Sequence, residues 1–524
     1  MENLIENKVE PKPLDLGNMS LTDIMAECYN SSKFMAQLLF PDEFYAPMNY
    51  LHDQLFDFID HCDAPRKAIA APRGIGKTTI VKLLLKRRIL FRDRHFIGYL
   101  TNSSDVAQMF TSSIQMDLTS NLKVKKIFGD VKTSKVEGVD EKWSTTSWIA
   151  NGETMVLPRG ASQQVNGLLW GHYRPDLWLV DDLDDRVEVR NSVQRKKLRE
   201  WFYGVLMYTF AQYEDYQDYE IIYTDTVKHP DALIVHLMED PDWEHLALSV
   251  CDQNYKTLAP NFRSQERLDK EIDGHRERKT MDLFAREMMS IAISLESGNF
   301  KPSLFKYYEE NDPEFVKEIR PRLANILIWD PAKTVNATSD QTGLVIWGLD
   351  LEYNAFYVRF ASGEYLTVND QHSRVIQLAE QYRIQALGLE VTSLEDHIVY
   401  PFKNECLRRN KPWLIANIVE LKARTGKGEF VGAEGGKEGR IAYLLPYYEQ
   451  GLVWHNKNAA GPLEQQLLGS KLRDVADAAA YLPQMLIKGA KYMSPVPLKD
   501  YTYDEEAAYR QLDHLDMMKR KVFA

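Results

Sequence analysis

The chain has 524 residues, 44% of them hydrophobic, with a net charge of −12. A single core rarely grows past roughly 250–300 residues, so two domains are expected, and the acidic balance argues against nonspecific coating of nucleic acid while leaving room for a local basic track. Four scattered cysteines without CxxC spacing, no run of 18 apolar residues and no basic-then-apolar N-terminus argue against zinc ribbons, disulfide frameworks, membrane spans and secretion. A soluble protein of a reducing cytoplasm is the expectation.

Taken in chain order, residues 1–40 begin polar and become helical in pattern. A short strand at 66–70 leads into Ala70-Ala71-Pro72-Arg73-Gly74-Ile75-Gly76-Lys77-Thr78-Thr79, and a helical pattern follows over 79–89. Lys82, Lys86, Arg87, Arg88, Arg92 and Arg94 cluster next; they read equally as a phosphate-backbone contact or a solvated helix face. Apolar runs at 96–100, 177–180 and 220–223 alternate with helical patterns, which predicts a mainly parallel α/β sheet. A charged amphipathic helix pair is expected over 265–295 and a polar linker over 297–322. A second alternating region follows, with a strand at 326–329, a hairpin of strands at 344–348 and 356–359, and a strand at 386–389. The division expected is 1–296 with an N-terminal helical extension, the linker 297–322, a second domain 323–487 and a tail 488–524. Lys422, Arg424, Lys427, Lys437 and Arg440 form a late basic cluster with the same two readings as the first.

The segment 70–79 reads as a phosphate-binding loop. Between a strand and a helix, successive backbone N–H groups and the helix N-terminus converge on a polyphosphate. Lys77 is placed to reach the outer phosphates and Thr78 to bind Mg²⁺. Ala71 replaces the usual first glycine, and Arg73 sits inside the loop, where its guanidinium can approach a γ-phosphate. The strand at 177–180 ends in Asp181 and Asp182, at the sheet edge where ligands bind in such folds. Asp181 is expected in the Mg²⁺ shell and Asp182 beside the attacking water, with Asp184 and Asp185 as runners-up. A third strand ends in Thr224-Asp225-Thr226, where a threonine hydroxyl can sense the γ-phosphate or is simply a strand-end threonine. In the second half, Asp330 and Glu390 each end a strand, and Asp474 and Asp477 lie three apart on a helix. Acids so placed can converge into an oxygen-lined pocket for two Mg²⁺ or Mn²⁺ ions cutting a phosphodiester; solvated acids are the plainer reading.

The order of these features resembles the large terminase subunit of tailed bacteriophages, from about His52 to Tyr481. Pro72-Arg73-Gly74-Ile75-Gly76-Lys77-Thr78 is similar to that family's arginine-containing loop, and Tyr99-Leu100-Thr101-Asn102-Ser103 to its next strand end. Asn166-Gly167 and Arg174-Pro175-Asp176 resemble its lead-in to the acidic strand. Asp225-Thr226, His229, Asp231 and Leu233 resemble its coupling motif, with Asp225 in place of glycine. Leu258-Ala259-Pro260-Asn261-Phe262 is similar to its bridge segment. In the second half Asp330, Asp340, Glu390, Lys437-Glu438-Gly439-Arg440-Ile441, Pro446-Tyr447-Tyr448-Glu449-Gln450-Gly451 and the Asp474/Asp477 pair fit it.

The resemblance implies an N-terminal phosphate-loop ATPase and a C-terminal ribonuclease H-like nuclease domain. Pro72 to Thr79 and Asp181 would bind ATP. Thr78 and Asp181 would hold Mg²⁺, Arg73 would steady γ-phosphate charge and Asp182 would activate water. Asp330, Glu390, Asp474 and Asp477 would form the nuclease metal site, taking Mg²⁺ or Mn²⁺. The implied work is translocation of double-stranded viral DNA into a procapsid and cutting of concatemers. Implied partners are the portal protein and procapsid, a small terminase subunit and further copies in a homo-oligomeric ring, taken as a pentamer. The place is the infected host's cytoplasm, with no membrane. A helicase-like or repair ATPase fused to a nuclease is the alternative, and a non-enzymatic nucleotide switch on the virion is a third.

Overall fold

The computed structural model describes residues 19–132, 142–212, 218–293, 300–332, 341–391, 398–422 and 436–493. Asp340, Arg424, Lys427 and the tail beyond 493 lie outside the described residues. The chain forms two compact units. The first comprises Met1–Asp252, Lys256–Gly274 and Leu283–Ala292; the second comprises Gln253–Tyr255, His275–Asp282 and Ile293–Ala524. Among the described residues no helix is long and apolar enough to cross a membrane.

The first unit is built on a seven-stranded sheet. In chain order its strands are β1 (Arg66–Ala70), β2 (Phe96–Thr101), β3 (Trp148–Ala150), β4 (Thr154–Gly160), β5 (Leu177–Asp181), β6 (Glu220–Asp225) and β7 (Glu244–Ala247). The spatial order is β3-β4-β2-β5-β6-β1-β7, and every neighbouring pair is parallel except β3–β4. The strands β2, β5 and β6 are buried at every residue. They carry continuous apolar runs rather than alternation because both faces are covered. Three helices, Leu21–Asn30, Ser32–Leu39 and Tyr50–His61, precede β1. The helix expected over 79–89 runs Lys77–Phe91, and the expected helix pair is Gln265–Glu277 and Met281–Met289. Asp176, of the Arg174-Pro175-Asp176 segment, starts β2: its carboxylate accepts the N–H groups of His95 (2.7 Å) and Phe96 (2.9 Å).

Four residues of the first basic cluster are tied up in ion pairs within the unit. Lys86 is wholly buried between Glu43 and Asp117. Arg87 pairs with Asp60 (2.5 Å) and Arg88 with Asp93 (2.7 Å). At the entry to the sheet, Glu220 meets Lys67 at 2.6 Å, Arg88 at 2.5 Å and Arg94 at 3.6 Å. Each of these cations answers a carboxylate distant in sequence, which is why the run looked unpaired when read locally.

The second unit carries another seven-stranded sheet. Its strands are β8 (Lys306–Tyr308), β9 (Ala324–Asp330), β10 (Thr342–Asp350), β11 (Ala355–Glu364), β12 (Ala386–Glu390), β13 (Ile418–Leu421) and β14 (Val453–Asn456), in the order β13-β12-β9-β10-β11-β14-β8. Only β10 runs against its neighbours. The block β9 to β13 therefore lies in the order third, second, first, fourth, fifth with the second strand reversed, the ribonuclease H-like arrangement. The segment 297–322 differs from a plain linker where it is described, because β8 pairs with β14. Three residues of sheet edge carry too little pattern to stand out in a sequence.

The helix Asp474–Ala480 is buried along its whole length and lies close on β10. A Cβ at Gly343 would sit 2.4 Å from the Asp474 carbonyl oxygen and 3.1 Å from Ala478 Cβ. Only glycine permits that approach.

Candidate active sites

In the first unit, β1, β5 and β6 end level with one another. Ala70 is opposite Asp225, and Asp181 is opposite Thr224. The loop after β1 turns through Gly74 (φ +83°) and Gly76 (φ +90°), left-handed positions that favour glycine. Ile75 is buried, and its carbonyl meets His52 Nε2 at 2.9 Å, tying the loop to the Tyr50–His61 helix. The Lys77–Phe91 helix starts directly after Gly76, so its N-terminus faces the loop. A cleft of about 260 Å³ opens here, lined by Arg73, Gly74, Gly76, Lys77, Thr78, Asp182, Arg186, Thr226 and Lys228.

The lysine at the centre is held by neutral oxygens. Lys77 Nζ donates to the Ala71 carbonyl (3.2 Å) and to the Thr226 hydroxyl, and lies 3.9 Å from Asp182 Oδ1. Burial lowers its pKa; Asp182, Asp225 and Asp181 oppose that. Asp181 is buried, bonded by the hydroxyls of Thr224 (2.9 Å) and Thr78, and burial with the adjacent Asp182 raises its carboxyl. A buried carboxylate beside a threonine hydroxyl at a phosphate loop is a hard-oxygen pair suited to Mg²⁺. Asp182 takes a left-handed backbone (φ +48°), and its side chain is half exposed at the cleft. Burial works against its ionisation, but Lys77 and Lys228 outweigh this and hold its carboxyl below the usual range.

The runners-up do not line this cleft. Asp184 is buried and accepts the Leu233 N–H (3.1 Å); Asp185 caps the turn at Val187 (2.7 Å) and Glu188 (3.0 Å). Arg73 is exposed at the rim, 3.8 Å from Glu287 of the Met281–Met289 helix, and its N–H donates to the Glu287 carbonyl (3.1 Å). The same carboxylate holds Arg186 at 2.7 Å. Arg186, Lys228 and Glu287 were not legible in the sequence. No motif carries them, and only the fold brings them to the phosphate loop. Pro72 and Thr79 belong to the loop and the first helical turn, without lining the cleft.

In the second unit, Asp330 ends β9 and Glu390 ends the adjacent parallel β12, one residue past the Trp329–Leu389 pair. With Asp477 they form a cluster in which one oxygen from each lies within 4.8 Å of the others, the one such group among the described residues. Burial, then Glu390 and Asp477, push the Asp330 carboxyl well above the usual range. Burial also raises Asp477, against the Arg440 guanidinium, which grips both its oxygens (2.8 and 2.7 Å). Three converging carboxylates, one of them pushed towards protonation by burial and by the other two, make a donor set that fits a hard divalent cation.

Asp474 is not brought into this cluster. One of its oxygens accepts the Gln341 N–H (2.9 Å) and the other meets Lys437 (2.7 Å). Of the late basic cluster, Lys437 and Arg440 are thus committed to Asp474 and Asp477.

No family profile and no curated protein matches the sequence. Among solved structures, the large terminase of a thermophilic bacteriophage in complex with ADP aligns at 9% identity, over 84% of this chain and all of that one, with a TM-score of 0.28. The ATPase domain of the Thermus phage P74-26 large terminase aligns at 12% identity over 49% of this chain and 97% of that one, TM-score 0.31. The human cytomegalovirus terminase nuclease domain aligns at 13% over 35% and 92%, TM-score 0.25. Likenesses at TM-scores this low carry no argument about this chain.

Proposed function

We propose that the protein is an ATP-driven motor that moves double-stranded viral DNA into a procapsid and cuts it with its own metal-dependent endonuclease, as a large terminase subunit does. The observation that carries this reading is the pairing, in one chain, of the phosphate-loop cleft around Lys77 with the Asp330–Glu390–Asp477 cluster at the ends of a second, ribonuclease H-like sheet. The ATPase reading belongs to residues up to about 296. The nuclease reading belongs to 323–487 together with β8.

In the cleft, the backbone from Pro72 to Thr79 would wrap the phosphates and Lys77 would leave Thr226 for the outer ones. Arg73 would turn from Glu287 to the γ-phosphate, an in-cis arginine finger. Thr78 and Asp181 would hold Mg²⁺, and Asp182 would orient the attacking water. In the second site Asp330, Glu390 and Asp477 would hold Mg²⁺ or Mn²⁺, with Arg440 fixing the Asp477 carboxylate. A divalent ion there supplies Lewis acidity towards a phosphodiester and a lowered pKa for bound water. Asp474 would act through Lys437 and the start of β10 instead of touching the ion. Viral DNA, a portal on the procapsid, a small terminase subunit and further copies in a ring, in the host cytoplasm, are the partners and place this reading requires.

The deciding assay measures ATP turnover by the purified protein alone, with duplex DNA, and with DNA plus procapsids, alongside Mn²⁺-dependent plasmid cleavage. Turnover stimulated by DNA and procapsids, with cleavage, is expected. Strand separation would instead select a helicase-like enzyme, and nucleotide binding without turnover would select a switch.

A further inference from the structure

Lys228 lies three residues beyond β6 with its side chain almost fully buried, and its ammonium reaches the cleft. It makes three contacts: Asp225 Oδ1 at 2.6 Å, the Asp184 carbonyl at 2.7 Å and Asp182 Oδ1 at 3.3 Å. Its own carbonyl accepts the Arg286 guanidinium at 2.6 Å. Head and backbone are therefore both pinned. Lys77 approaches the same Asp182 oxygen, but at 3.9 Å.

The two lysines differ in what a nucleotide would do to them. Lys77 holds only a carbonyl, a hydroxyl and a long ion pair, and phosphate oxygens offer it more. Lys228 instead holds two carboxylates and a carbonyl at short range, Asp225 closest of all. Asp225 is completely buried. A lone carboxylate there would carry a desolvation penalty of several kcal/mol. Lys228 offsets it, and the Asp225 carboxylate also accepts the Thr226 N–H at Oδ1 (2.7 Å) and the Asp184 N–H at Oδ2 (3.3 Å).

Resting on the ATPase reading above, we propose that Lys228 is a positioning residue for ATP hydrolysis. It holds the Asp182 carboxylate at the attacking water once Lys77 has turned to the phosphates, and Asp225 is present to hold Lys228. This accounts for a fully buried acid at position 225: the Asp225–Lys228 pair is a unit.

The test is hydrolysis and nucleotide binding by full-length variants. Lys228→Met alone strands the buried Asp225, so the informative variant is Asp225→Asn/Lys228→Met, which removes both charges together. It should bind a fluorescent ATP analogue within about 3-fold of the parent, keep its KM and lose about 10²-fold in kcat, the scale of a misplaced base. Lys228→Arg should restore kcat to within about 5-fold, since a guanidinium spans the same oxygens. Added to Asp182→Asn, the double change should lower kcat by less than about 3-fold, because groups acting through one another are not additive. Parental kcat in the double variant, an equal loss of binding and kcat, or a further tenfold loss on Asp182→Asn would each overturn the assignment. Should the double variant fail to fold, Lys228→Arg alone decides: a 10²-fold loss there, with binding kept, would mean that charge at this place does not suffice. Failure of the parent protein to hydrolyse ATP at all rejects the ATPase reading itself, before any variant is compared.

Discussion

Substituting Gly343 with alanine tests whether the depth of one helix sets the Asp330–Glu390–Asp477 carboxylate cluster. Gly343 pairs directly with Asp330 across β9 and β10. Its missing Cβ is the space that the Asp474 carbonyl oxygen occupies, at 2.4 Å. Ordinary contact begins at 3.4 Å, so the Asp474–Ala480 helix must retreat by about 1 Å. Asp477 rides on that helix, while Asp330 and Glu390 stay on the sheet. Metal–ligand distances tolerate only about 0.2 Å, and a misplacement of about 1 Å in a site costs on the order of 10²-fold in rate. The overpacking itself costs about 1–3 kcal/mol, a drop of roughly 2–4 °C in Tm per kcal/mol for a unit of this size. Gly343→Ala should therefore lower Mn²⁺-dependent plasmid cleavage about 10²-fold and weaken Mn²⁺ binding by calorimetry. The Tm of the second unit should fall by several degrees, with ATP turnover unchanged. Cleavage within about 3-fold of the parent, with the destabilisation present, would refute the argument that helix depth positions Asp477.

Lys77→Ala should abolish ATP turnover while leaving part of the plasmid cleavage, because the Lys77 cleft and the carboxylate cluster belong to different sheets; unchanged turnover would remove the phosphate-loop assignment. Asp330 holds its proton far above pH 4 when folded and near pH 4 when unfolded. Its contribution to stability is thus present at acid pH and lost as pH rises through the folded value. Without metal the second unit should melt lower at pH 8 than at pH 5. Mn²⁺, which needs the carboxylate, should reverse this and release protons on binding, readable in buffers of different ionisation heat. Asp330→Asn should reduce the pH dependence, leaving the part due to Asp477, and abolish cleavage. Glu220→Gln strands the buried Lys67 and leaves Arg88 and Arg94 with Asp93 and Asp218 alone, and breaking a buried pair costs about 3–5 kcal/mol. A drop of roughly 10 °C in the first unit's melting is expected, and a drop under about 2 °C would contradict it.

What the sequence made legible is what lies close together along it. The phosphate loop, Asp181 with Asp182, and the strand-end acids Asp330 and Glu390 each sit in a contiguous strand-plus-tip signal, and the structure brings each of them to a sheet edge as that signal predicts. The choice between Asp474 and Asp477 was not legible. Three positions apart on one helix, one reaches the Gln341 N–H and Lys437 while the other reaches Asp330, Glu390 and Arg440. Arg186 and Glu287 were missed for a related reason, since charge pairs across loops leave no local pattern, and the reach of Lys228 to Asp182 is equally long-range although Asp225 lies three residues from it. The basic run at 82–94 failed in the opposite direction. A dense local pattern proved to be answered by Glu43, Asp60, Asp117 and Glu220, far away in sequence.

The ion cluster around Glu220 also bears on how the protein responds to salt. Screening shortens from about 10 Å at 0.1 M to about 3 Å at 1 M, but it acts through solvent. Glu220 and Lys67 are nearly without solvent contact. A polyanion held by exposed lysines and arginines is released as salt rises, because its counterions return to it. Ionic strength thus separates the two kinds of charge contact: surface attraction fades while the buried carboxylate keeps its three cations. Molar salt that strips the protein of adventitious nucleic acid should leave the melting of its first sheet where it was.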